Sequence, residues 1–287
     1  MKAMVIYNPR SGKKQAPRIK AIAKVVRQEI GAELELREIE GPGHGTELAR
    51  EAVALAFDRV ISVGGDGTNN AIAQGLLGSS VPMGIVAMGS GNGYARSLGL
   101  PLEPTSALRH ALTLPAAAMD VCYLNEHLFL GTAGIGFDAR VAHRFDKSKG
   151  RGMFGYAKII VQEILGAAPM PVRMTIDGNT AEHQVLMLVF CNTREFGNGA
   201  DISPGSKPDD GMAELRLVRK PGFFHLIKAF VQIYTHKADN SAYIRNLTAT
   251  EARVWQRDTI AHLDGEPLEV GHDILFRLEA QRLWVVR

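Results

Sequence analysis

The chain has 287 residues, of which 22% are charged and 46% are hydrophobic, a balance that excludes an intrinsically disordered protein. Its net charge of +3 is too small to predict binding to nucleic acid. The length allows two domains with separate cores. No segment approaches the roughly 18 uninterrupted apolar residues of a membrane-spanning helix.

The cysteines and histidines predict no metal site. Cys122 and Cys191 each lie in an apolar, strand-like run, without metal-ligand spacing or a disulfide framework. Buried thiols in a reducing cytoplasm fit this usage best. A strand pattern begins at Ala3, so we expect no secretory leader. The nine histidines form no H-x-x-H cluster, and we assign them no chemistry.

Residues 1–119 alternate strand and helix patterns. This order predicts an α/β domain with a mostly parallel sheet and helices on both faces. The helix that follows the second strand is predicted to extend to Phe57, with Thr46 as its N-cap. Ligands bind such sheets where loops leave the carboxyl ends of the strands. The predicted strands are Ala3–Tyr7, Leu34–Ile39, Val60–Val63 and Met83–Met88.

The loop Gly64-Gly65-Asp66-Gly67-Thr68-Asn69-Asn70 organises the rest of this domain. Its three glycines let the backbone turn sharply and approach a ligand. A helix is predicted from Thr68 to Leu77, and its free N–H groups favour a phosphate. Asp66 is expected to be exposed beside that phosphate, an arrangement that requires a bridging cation such as Mg²⁺. The alternative is a tight strand-to-helix turn without a ligand.

Two further loops leave the same edge of the sheet. Asn8-Pro9-Arg10-Ser11-Gly12 lacks the Walker A spacing, but its amides and nearby basic residues can cradle phosphates. Gly89-Ser90-Gly91-Asn92-Gly93 opens another helix, and its short polar side chains can reach phosphate or ribose. Taken alone, each loop also fits a simple turn.

Residues 120–287 are dominated by short strand patterns separated by Asp-Gly turns, which predicts a β-sandwich. Helices are expected near 152–166 and 222–235. The predicted strands are Met119–Leu124, His127–Gly131, Val172–Ile176, Gln184–Cys191, Ala213–Val218, Ala252–Gln256, Thr259–Leu263, Ile274–Leu278 and Leu283–Val286.

Three motifs of this half each allow two interpretations. Gly134–Ala139 matches a dinucleotide fingerprint, but its position favours a tight turn bordering a pocket. Asp264-Gly265-Glu266 is either a hairpin turn or a carboxylate pair that supplies a general base. Lys207–Met212 is either a solvated turn or a cation site that combines Asp210 with backbone carbonyls.

The segment Arg140–Lys158 is basic and contains interleaved aromatic residues. Such a segment is usually a solvated charged face, but it also suits an anionic lipid surface. It offers no recognisable stacking platform for RNA.

Six motifs in the same order give the chain a resemblance to the diacylglycerol kinase catalytic-domain family, especially its soluble bacterial lipid kinases, and to the sphingosine kinase core. They span nearly the whole chain: Asn8–Gly12, Gly64–Asn70, Gly89–Asn92, Gly134–Asp138, Lys207–Gly211 and Leu263–Glu266.

The resemblance implies a nucleotide-binding α/β domain at 1–119 and a β-rich lipid-substrate domain at 120–287, with the active site in a cleft between them. ATP would contact Asn8, Pro9, Arg10, Ser11, Gly12, Gly64, Gly65, Asp66, Gly67, Thr68, Asn69, Asn70, Ser90 and Asn92.

The resemblance also implies catalytic and metal-binding roles. Asp66 would act near the phosphates and a catalytic Mg²⁺, and Asp264 and Glu266 would lie at the lipid hydroxyl. A second Mg²⁺ would be held by Asp210 with the carbonyls of Lys207 and Met212. Phe137 is among the apolar residues expected to receive the acyl chain.

The sequence therefore predicts an ATP-dependent lipid kinase that acts peripherally at the inner membrane face on a diacylglycerol-like or sphingoid-like lipid. No nucleic-acid partner is expected, and a homo-oligomer is left open. The alternatives are an NAD kinase, which shares the Gly-Gly-Asp-Gly-Thr turn, and a catalytically silent binding protein. Gly93 departs from the family, because many bacterial members carry aspartate there.

Overall fold

The computed structural model describes residues 1–11, 15–147, 159–160, 162–164 and 166–287. Their backbone forms two compact units, residues 1–119 with 281–287, and residues 120–280. The last seven residues thus join the first unit, whereas the predicted division assigned them to the second. In the described part of the chain, no helix is long and apolar enough to cross a lipid bilayer.

The first unit alternates strands and helices. Its strands are parallel and neighbour one another in the order β2-β1-β3-β4. Their fully buried residues are mostly β-branched or aliphatic, as expected for a sheet covered on both faces. The elements are β1 (Lys2–Tyr7), α1 (Gln15–Ile30), β2 (Glu33–Glu38), α2 (His44–Ala54), β3 (Arg59–Gly64), α3 (Asp66–Leu76), β4 (Met83–Ala87), α4 (Gly93–Ser97) and α5 (Pro104–Thr113).

The core of the first unit packs helices α1 and α5 against the sheet. Ile19 of α1 and Leu108 of α5 are buried with Val5 and Ile61 from the two central strands. Helices α2 and α3 contact each other and strands β1 and β3. The predicted parallel α/β arrangement is therefore confirmed.

The second unit consists mainly of antiparallel strands in two layers. One layer has the order β12-β11-β10-β7-β14-β15, and the other contains β16-β13-β8-β9. The elements are β5 (Ala116–Leu124), β6 (His127–Phe129), β7 (Thr132–Gly136), α6 (Phe137–Lys147), β8 (Met170–Ile176), β9 (Asn179–Val185), β10 (Met187–Cys191), β11 (Ala213–Val218), α7 (Phe223–Tyr234), a 3₁₀ turn (Ala238–Asn240), β12 (Ile244–Ala249), β13 (Glu251–Gln256), β14 (Ile260–Leu263), β15 (Glu266–Glu269) and β16 (Asp273–Val286).

Aromatic packing fills the core of this sandwich. The rings of Phe190 and Phe276 stack with centroids 5.1 Å apart, and Phe129 lies 6.3 Å from Phe276. Cys122 is buried in the same cluster, and Cys191 is buried in a neighbouring one. Both cysteines are free, as predicted.

Several predicted boundaries are wrong for local reasons. Helix α2 begins at His44 after Gly43, and the Thr46 hydroxyl donates to the Ala71 carbonyl at 2.7 Å instead of capping the helix. Helix α3 begins at Asp66, two residues before its predicted start. The last two predicted strands form one strand, β16, whose two ends belong to different units.

Candidate functional site

The three glycine-containing loops of the first unit lie side by side, as predicted. They follow β1, β3 and β4, which are consecutive parallel strands of the sheet. The Asn8 amide donates to the Val63 carbonyl at 3.1 Å, and the Met88 amide donates to the Gly64 carbonyl at 2.7 Å. The strand order therefore brings the loops together at the carboxyl edge of the sheet.

The second and third loops touch through their backbones. A Cβ atom added to Gly89 would lie 2.6 Å from the Cα of Gly65, and one added to Gly65 would lie 3.2 Å from the Cα of Gly89. Gly89 therefore needs glycine because another backbone occupies the space of a side chain, and Gly65 is tightly packed against the same loop.

The Asp66 carboxylate ties these two loops together. Its Oδ2 accepts the Gly93 amide at 3.0 Å, and its Oδ1 accepts the Tyr94 amide at 3.2 Å. These amides open helix α4, so the carboxylate stabilises the positive end of that short helix. Gly93 takes part through its backbone.

The first loop is fixed by Asn8. Its side-chain amide donates to the Thr68 hydroxyl at 3.3 Å, while its Oδ1 accepts the Arg10 amide at 2.9 Å. The Ser11 amide donates to the Asn8 carbonyl at 3.2 Å. Arg10 is exposed, and Gly12 lies outside the described residues.

The remaining polar side chains that were predicted to contact ATP differ in their burial and in their hydrogen bonds. Asn69 is buried and accepts the Ser62 hydroxyl at 2.7 Å, so its side chain supports strand β3. Asn70 accepts from Gln74 within helix α3 at 2.8 Å. Asn92 exchanges hydrogen bonds with the backbone of Gly89, while Ser90 is exposed.

In the second unit, Asp264 and Gly265 form the hairpin turn between β14 and β15. Their φ angles of 51° and 87° are the left-handed values that an Asp-Gly hairpin adopts. The Asp264 carboxylate accepts the amides of Leu130, Gly131 and Thr132 at 2.9, 2.7 and 3.2 Å. This carboxylate therefore anchors the turn to the segment that leads into strand β7.

Glu266 has a different environment, although it is only two residues away. The residue is exposed by area, yet partial desolvation of its carboxyl group raises its pKa. The negative charges of Asp146 and Asp264 raise it further. A carboxyl group with a raised pKa is a stronger base when ionised, which suits general base catalysis.

The interpretation of Gly134–Ala139 as a tight turn is wrong. Gly134 and Gly136 belong to β7, an interior strand of the sheet, and helix α6 begins directly afterwards at Phe137. Gly136 adopts a φ of 95° at this junction. Phe137 packs against a small apolar cluster that includes Met187.

Sequence reasoning missed His262. It is buried, and its Nε2 lies 3.2 Å from Oδ2 of Asp138, while its Nδ1 lies 3.4 Å from the Gly265 nitrogen. In the sequence, only its position two residues before Asp264 could have drawn attention to His262. Gly134 and Asp138 come close to it only when β7 pairs with β14.

The loop containing Lys207, Asp210 and Met212 is held by a buried acid. Asp120 is fully buried, and its Oδ2 accepts the Gly211 amide at 2.7 Å. Asp210 is exposed, and its Oδ1 accepts the Met212 amide at 3.1 Å. The loop thus presents hard oxygen donors, the ligand type that Mg²⁺ prefers.

Glu214 adjoins this loop. Burial raises its pKa, and the nearby charge of Asp210 raises it further, whereas a hydrogen bond from Ser206 opposes the shift. Across the described ranges, no three His, Cys, Asp or Glu side chains group to hold a metal ion. A cation here would therefore depend on carbonyl oxygens in addition to Asp210.

Comparison with known proteins gives two consecutive domain matches. Residues 2–124 match the diacylglycerol kinase catalytic domain, and residues 131–280 match the YegS C-terminal NAD kinase beta sandwich-like domain. Together they cover most of the chain.

Individual relatives agree with the domain matches. A probable lipid kinase YegS-like of Chromohalobacter salexigens is 30% identical, covering 92% of this chain and 86% of the relative. A diacylglycerol kinase of Bacillus subtilis is 27% identical, covering 92% of this chain and 89% of the relative. A crystal structure of a putative diacylglycerol kinase from Bacillus anthracis has the same fold, with a TM-score of 0.80, 22% identity and coverage of 99% and 96%.

The comparisons identify the chain as a kinase, that is, a phosphotransferase, and they also specify which kind. The chain belongs to the family of YegS-like lipid kinases, with a diacylglycerol kinase catalytic domain followed by the YegS C-terminal domain. The resemblance, the fold class and the assignment to lipid kinases are thereby confirmed.

Replacement of Gly89 by alanine should destabilise the first unit. The new Cβ would meet the Gly65 backbone, which cannot move aside without disturbing strand β3. We expect the free energy of unfolding in urea to fall by about 1–3 kcal/mol. Gly91→Ala is the matched control, because its Cβ would lie 3.7 Å from Asp66, an ordinary contact. Equal stability of the two variants would contradict the close approach.

Proposed function

We propose that this protein is an ATP-dependent lipid kinase that transfers the γ-phosphoryl group to the hydroxyl of a diacylglycerol-like or sphingoid-like lipid. The observation that carries the proposal is the convergence of three loops around Asp66 at the carboxyl edge of the parallel sheet. The names of the relatives, lipid kinase and diacylglycerol kinase, support a lipid acceptor.

The three loops would bind ATP. Asn8–Gly12 and Gly64–Asn70 would surround the phosphates, since backbone amides and the N-terminus of helix α3 favour anions. Ser90 and Asn92 would complete this binding surface from the third loop. The buried Asn69 would act through its backbone and by stiffening strand β3.

Asp66 fits a role beside a bound cation. A carboxylate has four lone-pair sites, so accepting two amides still allows it to bind a metal ion. When bound, Mg²⁺ neutralises the charge of the transferring phosphate. The amides of Gly93 and Tyr94 would keep the Asp66 side chain in a single orientation for that purpose.

Glu266 is the better candidate for the base that removes the lipid hydroxyl proton. Asp264 already accepts three backbone amides, which commits its oxygens to the hairpin. Glu266 has a raised pKa and starts strand β15 next to this anchored turn. We therefore assign proton removal to Glu266 and support of the turn to Asp264.

Asp210 and the carbonyls of Lys207 and Met212 would hold a second Mg²⁺. The donor set fits, because all of its members are hard oxygen ligands. Asp120 would fix the loop through its hydrogen bond to the Gly211 amide. This site would stabilise the loop without taking part in phosphoryl transfer.

The protein would work peripherally at the inner, anionic face of the membrane. In the basic segment, Arg140 pairs with Asp258 at 3.0 Å and Arg144 pairs with Glu163, which partly neutralises its charge. Residues 148–158 of this segment, and most of the helix expected near 152–166, lie outside the described residues.

Helix α7 is a second candidate for membrane contact. No acidic residue occurs between Glu214 and Asp239, and Lys228 on this helix is exposed. Val231 and Tyr234 on the same helix are 50% and 42% exposed. A helix with exposed apolar and basic residues binds the interface of an anionic bilayer.

Replacement of Glu266 by glutamine should lower kcat by about 10²- to 10⁴-fold, because the base is lost. In the wild type, the base is active when ionised, so kcat falls as the pH drops through its raised pKa. The acid limb should therefore lie above the ordinary glutamate value of about 4.3. The exposed Glu269 of the same strand provides the matched control variant, Glu269→Gln. Wild-type kcat in Glu266→Gln would refute this assignment.

Charge reversal on helix α7 should weaken membrane binding. Lys228→Glu is expected to reduce binding to phosphatidylglycerol vesicles by about 1–2 kcal/mol, measured by sedimentation. Lys24→Glu, at an exposed position of helix α1, should have little effect. Unchanged binding of Lys228→Glu, or equal wild-type binding to neutral phosphatidylcholine vesicles, would contradict this contribution.

A further inference from the structure

The buried His262 contacts both the partly buried Asp138 and the Asp264–Gly265–Glu266 turn. We infer that Asp138 and His262 are positioning residues that hold this turn so that Glu266 can accept the lipid hydroxyl proton. The inference rests on the proposed lipid kinase function and adds a role for the Gly-x-Gly-Phe-Asp motif, which phosphoryl transfer leaves unexplained.

The register of the sheet places the pair. His262 on β14 lies opposite Gly134 on β7, and Asp138 lies in the first turn of helix α6. A Cβ on Gly134 would be 1.8 Å from Oδ2 of Asp138 and 2.8 Å from Nε2 of His262. Gly134 is therefore required because the contact between the acid and the histidine occupies the space of a side chain.

The hydrogen bonds of His262 connect the acid to the turn. Its Nδ1 lies 3.4 Å from the Gly265 amide nitrogen and accepts that N–H, so the ring proton resides on Nε2. The Nε2–H then donates to Oδ2 of Asp138 at 3.2 Å. Asp138 thus selects the histidine tautomer that can hold Gly265.

The surroundings leave the pair little freedom. His262 is 3% exposed, and the ring of Phe196 packs edge-on against it with centroids 5.8 Å apart. Oδ1 of Asp138 accepts the Ala139 amide at 2.8 Å, which fixes the carboxylate on helix α6. The imidazole is consequently held between helix α6 and the hairpin.

Two anchors therefore act on adjacent residues of the turn. Asp264 is held by the amides of Leu130–Thr132, and Gly265 is held by His262. Glu266 follows immediately, at the start of the four-residue strand β15. Loss of the second anchor would free Glu266 to shift while the first anchor keeps the hairpin folded.

Asp138→Asn and His262→Gln test this inference with little change in shape. The asparagine oxygen would still accept the Ala139 amide, which turns the NH₂ group toward His262 and forces the tautomer that cannot accept from Gly265. The glutamine NH₂ group can still donate to Asp138, but its acceptor oxygen lies at the end of the side chain and not at the position of the histidine Nδ1, so the bond from Gly265 is lost. Each variant should lower kcat on the order of 10- to 100-fold while the KM for ATP stays unchanged.

The pH profile separates positioning from a general loss of stability. Freed from its second anchor, Glu266 can leave the position in which local desolvation and the charges of Asp146 and Asp264 raise its pKa. The acid limb of kcat should therefore move to lower pH in both variants. The double variant should be no slower than the slower single variant, because both act through one contact.

Asp258→Asn is the matched control, since it removes the Arg140 ion pair from the same helix without touching the turn. Thermal melting of every variant verifies folding. Wild-type kcat in Asp138→Asn and His262→Gln, or additive losses with an unmoved acid limb, would overturn the inference. Glu266→Gln, assayed in parallel, separates the positioning role of Asp138 and His262 from the assignment of Glu266 as the base. If Glu266→Gln retains full activity, the assignment of the base fails as well.

Discussion

The hydrogen bonds from the amides of Gly93 and Tyr94 to the Asp66 carboxylate are the contacts on which the loops of the first unit depend. They join the loop after β3 to the helix after β4, and the contact between Gly65 and Gly89 brings the loops close enough for them to form. A single carboxylate thus helps to shape these loops, which we propose bind the phosphates of ATP with a cation beside Asp66. Its replacement should affect both geometry and charge.

The carboxylates of the second unit have different environments. Asp264 accepts three amides and gives the hairpin its shape, whereas Glu266 has a raised pKa that suits proton transfer. Asp138 contacts His262, whose Nδ1 accepts the amide of Gly265, the residue between Asp264 and Glu266. Groups that are alike in sequence differ in role because their environments differ.

Features that depend on local chemistry could be predicted from the sequence. The parallel strands, the loops at their carboxyl ends and the Asp264–Gly265 hairpin all follow from short patterns. Features that depend on strand pairing could not be predicted. Gly134 was interpreted as part of a turn, and His262 received no role, because their proximity exists only when β7 pairs with β14. Similarly, the hydrogen bond between Thr46 and Ala71 arises from the packing of two helices.

Transfer of label from [γ-³²P]ATP to a total lipid extract, with the product identified by mass, tests the central claim most directly. NAD serves as a competing acceptor, and Asp66→Asn serves as the inactive control. We predict a Mg²⁺-dependent lipid phosphate, with turnover reduced by orders of magnitude in Asp66→Asn while the protein remains folded. Efficient formation of NADP without labelled lipid, or near-normal lipid phosphorylation by Asp66→Asn, would contradict it.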